Sequence, residues 1–157
     1  MKLSRGFTLV ETVAVMVLIA IIAFAFLPRG SETVPSLAAQ ADQLVSDLRY
    51  VQSRASALAQ RHRLCLAATG YTFATTTCAT PVAHPATGNT APIVLTGVTL
   101  SWAGLPNNYV AFDSTGAPYS TDPGTALTAN ATITLSSNQG GTKTVTISPE
   151  TGRVIAP

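Results

Sequence analysis

The sequence predicts an α+β protein in which a long N-terminal helical region packs on a C-terminal antiparallel β domain. Three observations predict this class. Residues 7–27 form an almost uninterrupted apolar run, and residues 37–62 carry apolar side chains at helical spacing. After Arg63 the chain changes to short β-rich runs separated by Gly, Pro and Asn.

The apolar run of residues 7–27 is long enough to cross a bilayer. At 1.5 Å of rise per residue, a helix of this length is about 31 Å long, close to the thickness of the hydrocarbon core. A cleaved secretory signal has a shorter apolar stretch and a small-residue cleavage site, so we expect this segment to stay attached. Lys2 and Arg5 precede it and predict a cytoplasmic N-terminus, with the C-terminal domain across the membrane.

Glu11 is the only charged residue of the apolar run. A carboxylate in hydrocarbon costs about 2.5 to 3.5 kcal/mol on insertion scales, so we expect Glu11 to have a partner. A simple signal anchor offers no explanation for this residue.

The residues from Gly6 to Glu11, followed by an apolar run that ends at Pro28, resemble the N-terminus of type IV prepilins and type II secretion pseudopilins. This resemblance implies that prepilin peptidase cuts between Gly6 and Phe7 and methylates the new N-terminal amine of Phe7. It also implies that Glu11 pairs with the N-terminal amine of a neighbouring subunit and that Pro28 kinks the helix. The alternative is a signal anchor with a chance glycine.

The chain is accordingly predicted to have three parts. Residues 1–6 are the leader, residues 7–28 are the transmembrane helix, and residues 29–157 are a periplasmic globular domain. Within that domain we expect an amphipathic helix at about 37–62 and a β domain at about 63–157. The bacterial inner membrane is the expected first location, and a periplasmic pseudopilus or extracellular pilus is the second.

The charge balance does not favour nucleic acid as a partner. The precursor has a net charge of +2 from nine Lys and Arg and seven Asp and Glu, but Lys2 and Arg5 leave with the leader. The remaining side chains balance, so no global basic field attracts a polyanion. Charged residues are only 10% of the chain, which predicts a surface of small uncharged polar groups.

Cys65 and Cys78 are the only cysteines. In a periplasmic domain such a pair is most simply a disulfide, which stabilises by about 3 kcal/mol in the chain-entropy model; two free buried thiols are the alternative. His62 and His84 are not at zinc-site spacing and no Cys-x-x-Cys is present, so we expect no metal and no other cofactor.

The amphipathic helix is predicted to begin after a capping Ser36 and to pack one apolar stripe on a sheet. The stripe consists of Leu37, Ala41, Leu44, Leu48, Val51, Ala55 and Leu58. The opposite side is expected to carry Asp42, Asp47, Arg49, Gln52, Arg54, Gln60 and Arg61. We interpret Arg61, His62 and Arg63 as complementing the dipole at the helix C-terminus, with a docking or nucleic-acid patch as the alternative.

Eight strands are predicted, at 63–68, 71–76, 93–96, 98–102, 109–112, 131–136, 142–148 and 153–156. The last long pair forms a hairpin around residues 138–141. The segments 79–92 and 114–128 are predicted loops, either partner-contacting or disordered.

Three sequence segments in the globular part are similar to the GspH/FimT family of minor pseudopilins and minor pilins. They are residues 48–57, 110–116 and 145–154. This resemblance implies a helix packed on a two-sheet β domain and a structural subunit of a pilus or pseudopilus, near the tip or priming assembly. Its implied partners are other pilins, prepilin peptidase, the inner-membrane assembly platform and lipid around residues 7–27.

No catalytic motif is present, so we expect a protein that is not an enzyme. The residues from Asp113 to Gly116 weakly suggest a calcium loop, but a turn after a strand is the preferred interpretation. Some FimT-like minor pilins bind DNA through a Gly-Arg-x-Arg motif, and here Gly152 and Arg153 are followed by Val154 and Ile155. Arg153 is thus the one candidate DNA contact, and DNA uptake is the alternative function.

Overall fold

The computed structural model describes residues 9–26, 35–121 and 124–156, which belong to two compact units divided after Thr33. The first unit is the helix α1, Leu9–Phe26. No helix within the described residues is both long and apolar enough to span a bilayer. The predicted transmembrane segment of 7–28, with its kink at Pro28, has both ends outside the described residues.

The second unit begins with the helix α2, Leu37–Leu58. The Ser36 hydroxyl caps it by accepting a hydrogen bond of 3.2 Å from the backbone nitrogen of Ala39. The helix ends because Ala59 adopts a left-handed conformation, with φ of 50°. The buried side of α2 includes five residues of the predicted stripe, namely Ala41, Leu44, Leu48, Val51 and Ala55.

The prediction that the helix extends to His62 is wrong, and so is the dipole interpretation of its C-terminal cations. The last turn of α2 contains no basic residue. His62 and Arg63 instead begin the first strand, and both are buried. The Arg63 guanidinium lies 4.6 Å from the centroid of the Tyr109 ring, and its Nε donates to the Thr75 carbonyl.

Within the described residues that follow α2, the chain forms nine strands. They are β1 His62–Ala67, β2 Gly70–Ala74, β3 Ile93–Val94, β4 Val98–Ala103, β5 Tyr109–Phe112, β6 Pro118–Tyr119, β7 Ala131–Ser137, β8 Thr142–Ile147 and β9 Val154–Ile155. All eight predicted strands are present, with ends that differ by a few residues. The strand β6 lies in the segment 114–128, which was predicted to be a loop.

The strands form two antiparallel sheets, as the family resemblance implied. Sheet A has the order β3-β2-β1-β5-β6, and sheet B has the order β4-β7-β8-β9. The predicted hairpin joins β7 to β8, with Ile133 opposite Val145 in the register. The helix α2 contacts β1 and β5 of sheet A and β7, β8 and β9 of sheet B. Its buried side and the inner faces of both sheets form one core.

Candidate functional site: the turns held by Gln52

The three sequence segments that resemble the GspH/FimT family meet at one place in the fold. Gln52 lies on α2, and its Nε2 donates hydrogen bonds of 2.9 Å to the carbonyl oxygens of Gly116 and Thr151. Gly116 follows β5 and Thr151 follows β8, so one side chain connects the helix to a turn from each sheet. We call Gln52, Gly116, Thr151 and Gly152 the Gln52 junction.

Gly152 is required at this junction by both conformation and space. Its φ of +63° lies in the left-handed region, where a side chain is strained. A Cβ at this position would collide with the carbonyl oxygen of Gly116 and lie 2.7 Å from Nε2 of Gln52. The close approach of the two turns therefore depends on the missing side chain.

Asp113 shapes the first of these turns. Its Oδ1 accepts hydrogen bonds from the backbone nitrogen of Thr115 at 2.8 Å, the Thr115 hydroxyl at 2.7 Å and the backbone nitrogen of Ala117 at 3.0 Å. Its Oδ2 accepts one from the Tyr119 hydroxyl. Burial alone raises the pKa of Asp113, but these hydrogen bonds to the carboxylate outweigh it and lower the pKa below its ordinary value. The residues from Asp113 to Gly116 form a turn after β5, as the preferred interpretation expected.

Arg153 leaves the second turn with an exposed side chain. Its backbone is fixed, because its carbonyl accepts from the nitrogen of Ser148 at 2.9 Å. Arg49 of α2 lies close by in the fold, with its Nη2 donating to the carbonyl oxygen of Val154 at 2.8 Å. The C-terminal turn is therefore attached to α2 through both Gln52 and Arg49.

A buried polar cluster, which the sequence did not predict, lies elsewhere in the domain. Asp47 was expected on the solvent side of α2, but it is buried, with 6% of its surface exposed. Its Oδ2 accepts a hydrogen bond of 2.6 Å from the Tyr71 hydroxyl, and its Oδ1 lies 3.3 Å from Nε2 of His84. Because Nδ1 of His84 accepts from the nitrogen of Ala86, we assign the ring proton to Nε2, which donates to Asp47. The cluster holds the segment 79–92 against α2 and sheet A.

The predicted disulfide is confirmed, because Cys65 of β1 is bonded to Cys78 after β2, with a Cα separation of 5.8 Å. The described residues contain no group of three or more His, Cys, Asp or Glu able to hold a metal ion.

Comparison with known proteins decides the family. A family model described as Type II transport protein GspH matches residues 40–152, which is more than half of the chain. The protein belongs to the GspH family. A second model, described as the prokaryotic N-terminal methylation motif, matches residues 1–27. Among curated proteins, no match was found.

Solved structures similar to this GspH family member include a minor pilin and a minor pseudopilin. The type IV minor pilin FimU of Pseudomonas aeruginosa is 17% identical, with a TM-score of 0.56, and the match covers 77% of this chain and 92% of FimU. The minor pseudopilin EpsH of the Vibrio cholerae type 2 secretion system is 15% identical, with a TM-score of 0.57, over 77% of this chain and 95% of EpsH. At these identities the likeness shows the fold, whereas the match to the GspH family model confirms the resemblance inferred from the three sequence segments.

The N-terminal site residues expected of this GspH family member are mostly outside the described part of the chain. Gly6, Phe7 and Pro28 all lie there. Glu11 lies in the first turn of α1 with an exposed side chain. The structure therefore brings together the three sequence segments of the globular part, but the cleavage site and the role of Glu11 stay predictions.

Proposed function

We propose that this protein is a minor pilin or minor pseudopilin, a structural subunit of a type IV pilus or type II secretion pseudopilus. The observation that carries the proposal is that one chain joins an N-terminal methylation motif at residues 1–27 to a GspH domain at residues 40–152. The methylation motif fits entry into a filament, and the GspH fold fits a position among related subunits.

Maturation is proposed to begin with prepilin peptidase. The enzyme cuts between Gly6 and Phe7, removes residues 1–6 and methylates the amine of Phe7. Residues 7–28 then form a transmembrane helix in the bacterial inner membrane, with lipid around 7–27 and the domain of residues 29–157 in the periplasm. The assembly platform of the inner membrane moves the subunit from there into the filament.

Glu11 is proposed to pair with the Phe7 amine of a neighbouring subunit. Its exposed position in the first turn of α1 is compatible with contact from another helix. Removing one partner of an ion pair that is surrounded by apolar side chains costs about 3 to 5 kcal/mol, because the other charge is left unpaired. Loss of Glu11 should therefore weaken filament entry without affecting the GspH domain. We place the subunit near the tip, where it primes assembly.

The proposed role is structural and not enzymatic, and nucleic acid is not a proposed partner. Arg153 neutralises one phosphate, whereas useful non-specific binding to DNA takes several such contacts. Arg49, which is also exposed, donates from Nη2 to the carbonyl oxygen of Val154 and would neutralise at most one further phosphate. An electrophoretic shift assay with the detergent-solubilised chain and Arg153→Ala addresses this alternative. Salt-sensitive binding that Arg153→Ala abolishes would establish DNA binding.

Processing is tested with the full chain and a Gly6→Val variant in the host. Mass spectrometry of the wild-type chain should show a protein that starts at N-methylated Phe7. Gly6→Val should keep residues 1–6 and be missing from sheared filaments, whereas Ser4→Ala in the leader should behave as wild type. A wild-type chain that keeps its leader, or that never enters filaments, would refute the proposal.

Glu11 is tested separately with Glu11→Ala and the charge-conserving Glu11→Asp. We expect Glu11→Ala to be cleaved and to form the Cys65–Cys78 disulfide, but to be depleted from filaments at least about tenfold, since 1.4 kcal/mol corresponds to a factor of ten. Glu11→Asp should retain more incorporation. Equal incorporation of Glu11→Ala and wild type would rule out the ion pair.

A further inference from the structure

The outer face of sheet B is built almost entirely from hydroxyl side chains. Strand alternation directs Leu100, Ile133 and Val145 into the core and their chain neighbours outward. The pairing register aligns the outward residues of β4, β7 and β8 into three rows, namely Thr99–Ser136–Thr142, Ser101–Thr134–Thr144 and Ala103–Thr132–Thr146. All nine are exposed or half-buried. We call these nine residues the hydroxyl face.

The hydroxyl face carries no charge. In the fully described strands β4, β7 and β8, Lys143 is the only charged residue, and it pairs with Leu135 on the inward row. The third row continues to Ile155 of β9, which is opposite Thr146 and 38% exposed. The strand β4 is one of the two edge strands of sheet B, and at such edges soluble proteins commonly place lysine or proline to prevent contact with other chains. Here that protection is missing.

Burying the hydroxyl face against another protein surface costs little free energy. Removing charged groups from water costs several kcal/mol per group unless each is paired, and these positions have none. The β-branched threonines are stiff at χ1, so they lose little rotamer freedom, unlike long charged side chains. Each hydroxyl both donates and accepts, so it can satisfy either kind of polar group on a partner.

The size of the hydroxyl face restricts what can bind there. Three strands about 4.8 Å apart, with five or six residues each at about 3.4 Å, cover on the order of 300 Å². A stable interface between free proteins buries about 800 Å² on each partner. The face is therefore too small to hold a freely diffusing protein, but it suffices for a partner already held nearby, whose effective concentration reaches millimolar.

We propose that the hydroxyl face contacts the β domain of an adjacent subunit in the same filament, through an equally uncharged surface of that subunit. This inference rests on the proposed function, because a filament supplies neighbours that are held in place by their own N-terminal helices. The contact adds to the helix packing and sets the orientation of the domain relative to its neighbour.

The experiment places a charge at the centre of the face in the full chain. Thr134→Lys and Thr144→Lys should each reduce the number of copies per sheared filament by at least about tenfold. Thr90→Lys is the matched control, because Thr90 is exposed in the segment 79–92 and belongs to no strand of sheet B. Thr134→Val, which preserves shape, should lower incorporation less than threefold. Disulfide formation and the thermal unfolding midpoint check that each lysine variant folds.

A photo-crosslinking residue at position 134 provides the second measurement. It should capture another subunit of the same filament, identified by mass spectrometry, and the same residue at position 90 should capture several-fold less. Normal incorporation of both lysine variants would overturn the inference while leaving the proposed function intact. Equal capture from positions 134 and 90, or capture of a polysaccharide, would also overturn it. Absence of the wild-type chain from filaments would refute both proposals.

Discussion

The Tyr71 hydroxyl donates a hydrogen bond of 2.6 Å to Oδ2 of Asp47, connecting β2 of sheet A to α2 in the interior of the domain. Burial, together with the hydrogen bond to Asp47 and the negative charge of Asp47, raises the pKa of Tyr71 well above its ordinary value. Tyr71 therefore remains a donor throughout the pH range in which an ordinary tyrosine is neutral. With His84 on the other carboxylate oxygen, Asp47 satisfies two buried donors at once.

Replacing Asp47 should be strongly destabilising. Asp47→Ala leaves the Tyr71 hydroxyl and Nε2 of His84 without their acceptor, and each unsatisfied buried group costs about 1 to 3 kcal/mol. We expect the free energy of unfolding to fall by about 2 to 5 kcal/mol, measured by urea unfolding of the detergent-solubilised chain with Trp102 fluorescence. Asp42→Ala, at an exposed position of the same helix, should change it by about 0.5 kcal/mol or less.

A double-mutant cycle isolates the contact between the two residues. Asp47→Ala and Tyr71→Phe should show a coupling of about 0.5 to 3 kcal/mol, because neighbours in one hydrogen-bond network are not additive. Additive effects would mean that the cost of Asp47→Ala comes from repacking and not from the lost hydrogen bond.

Gly152→Ala should destabilise the domain more than Gly140→Ala. Both positions have positive φ, so the left-handed conformation of each alanine destabilises the folded state by about 1 to 2 kcal/mol. At position 152 the new Cβ also collides with the Gly116 carbonyl, and overpacking of this kind adds about 1 to 3 kcal/mol. At position 140 nothing lies within 4 Å of that Cβ. Equal losses in urea unfolding would show that the two turns can separate freely.

Local patterns in the sequence were sufficient to predict most of the secondary structure. The three-and-four spacing of α2 and the alternation of β7 and β8 each reflect a single burial direction, so the pattern can be recognised in one segment. Asp47 shows the limit of this reasoning. Its polarity indicated the solvent side, because its partners Tyr71 and His84 come from distant segments whose positions depend on the tertiary fold.

The candidate site could be predicted only in part for the same reason. The sequence segments around Gln52, Gly116 and Gly152 were recognisable as a family resemblance. Their convergence in space, however, depends on how α2 lies across two sheets. Strand order in sheet A, β3-β2-β1-β5-β6, is not sequential, so the positions of its turns do not follow from hairpin signals. The disulfide was predictable because the chain has only two cysteines and they are close in sequence.

Loss of the disulfide should lower stability without removing the fold. Cys65 and Cys78 are 13 residues apart, and closing a loop of about this size stabilises by about 3 kcal/mol in the chain-entropy model. We expect Cys65→Ala/Cys78→Ala to reduce the free energy of unfolding by about 2 to 4 kcal/mol. Adding a reductant should lower the free energy of unfolding of the wild-type chain by a similar amount. The same reductant should leave the free energy of unfolding of the double variant unchanged. A loss in the double variant under reduction would point to an effect unrelated to this bond.

Asp113 should make the stability of the domain sensitive to acid. Its pKa is lower in the folded protein than its ordinary value, because hydrogen bonds from Thr115, Ala117 and Tyr119 to the carboxylate outweigh the opposing effect of burial. The folded state thus binds the proton more weakly than the unfolded state. The stabilisation is complete above the ordinary pKa of about 3.9 and is lost as the pH falls through the folded value.

Asp113→Asn, which cannot ionise, removes this contribution. The difference in thermal unfolding midpoint between wild type and Asp113→Asn should be largest near neutral pH and should shrink as the pH falls below about 4. Ser114→Ala, in the same turn but without a titrating group, is the control, and its difference from wild type should stay constant over that range. If the Asp113→Asn difference also stays constant, the hydrogen bonds of this turn do not depend on the charge of Asp113.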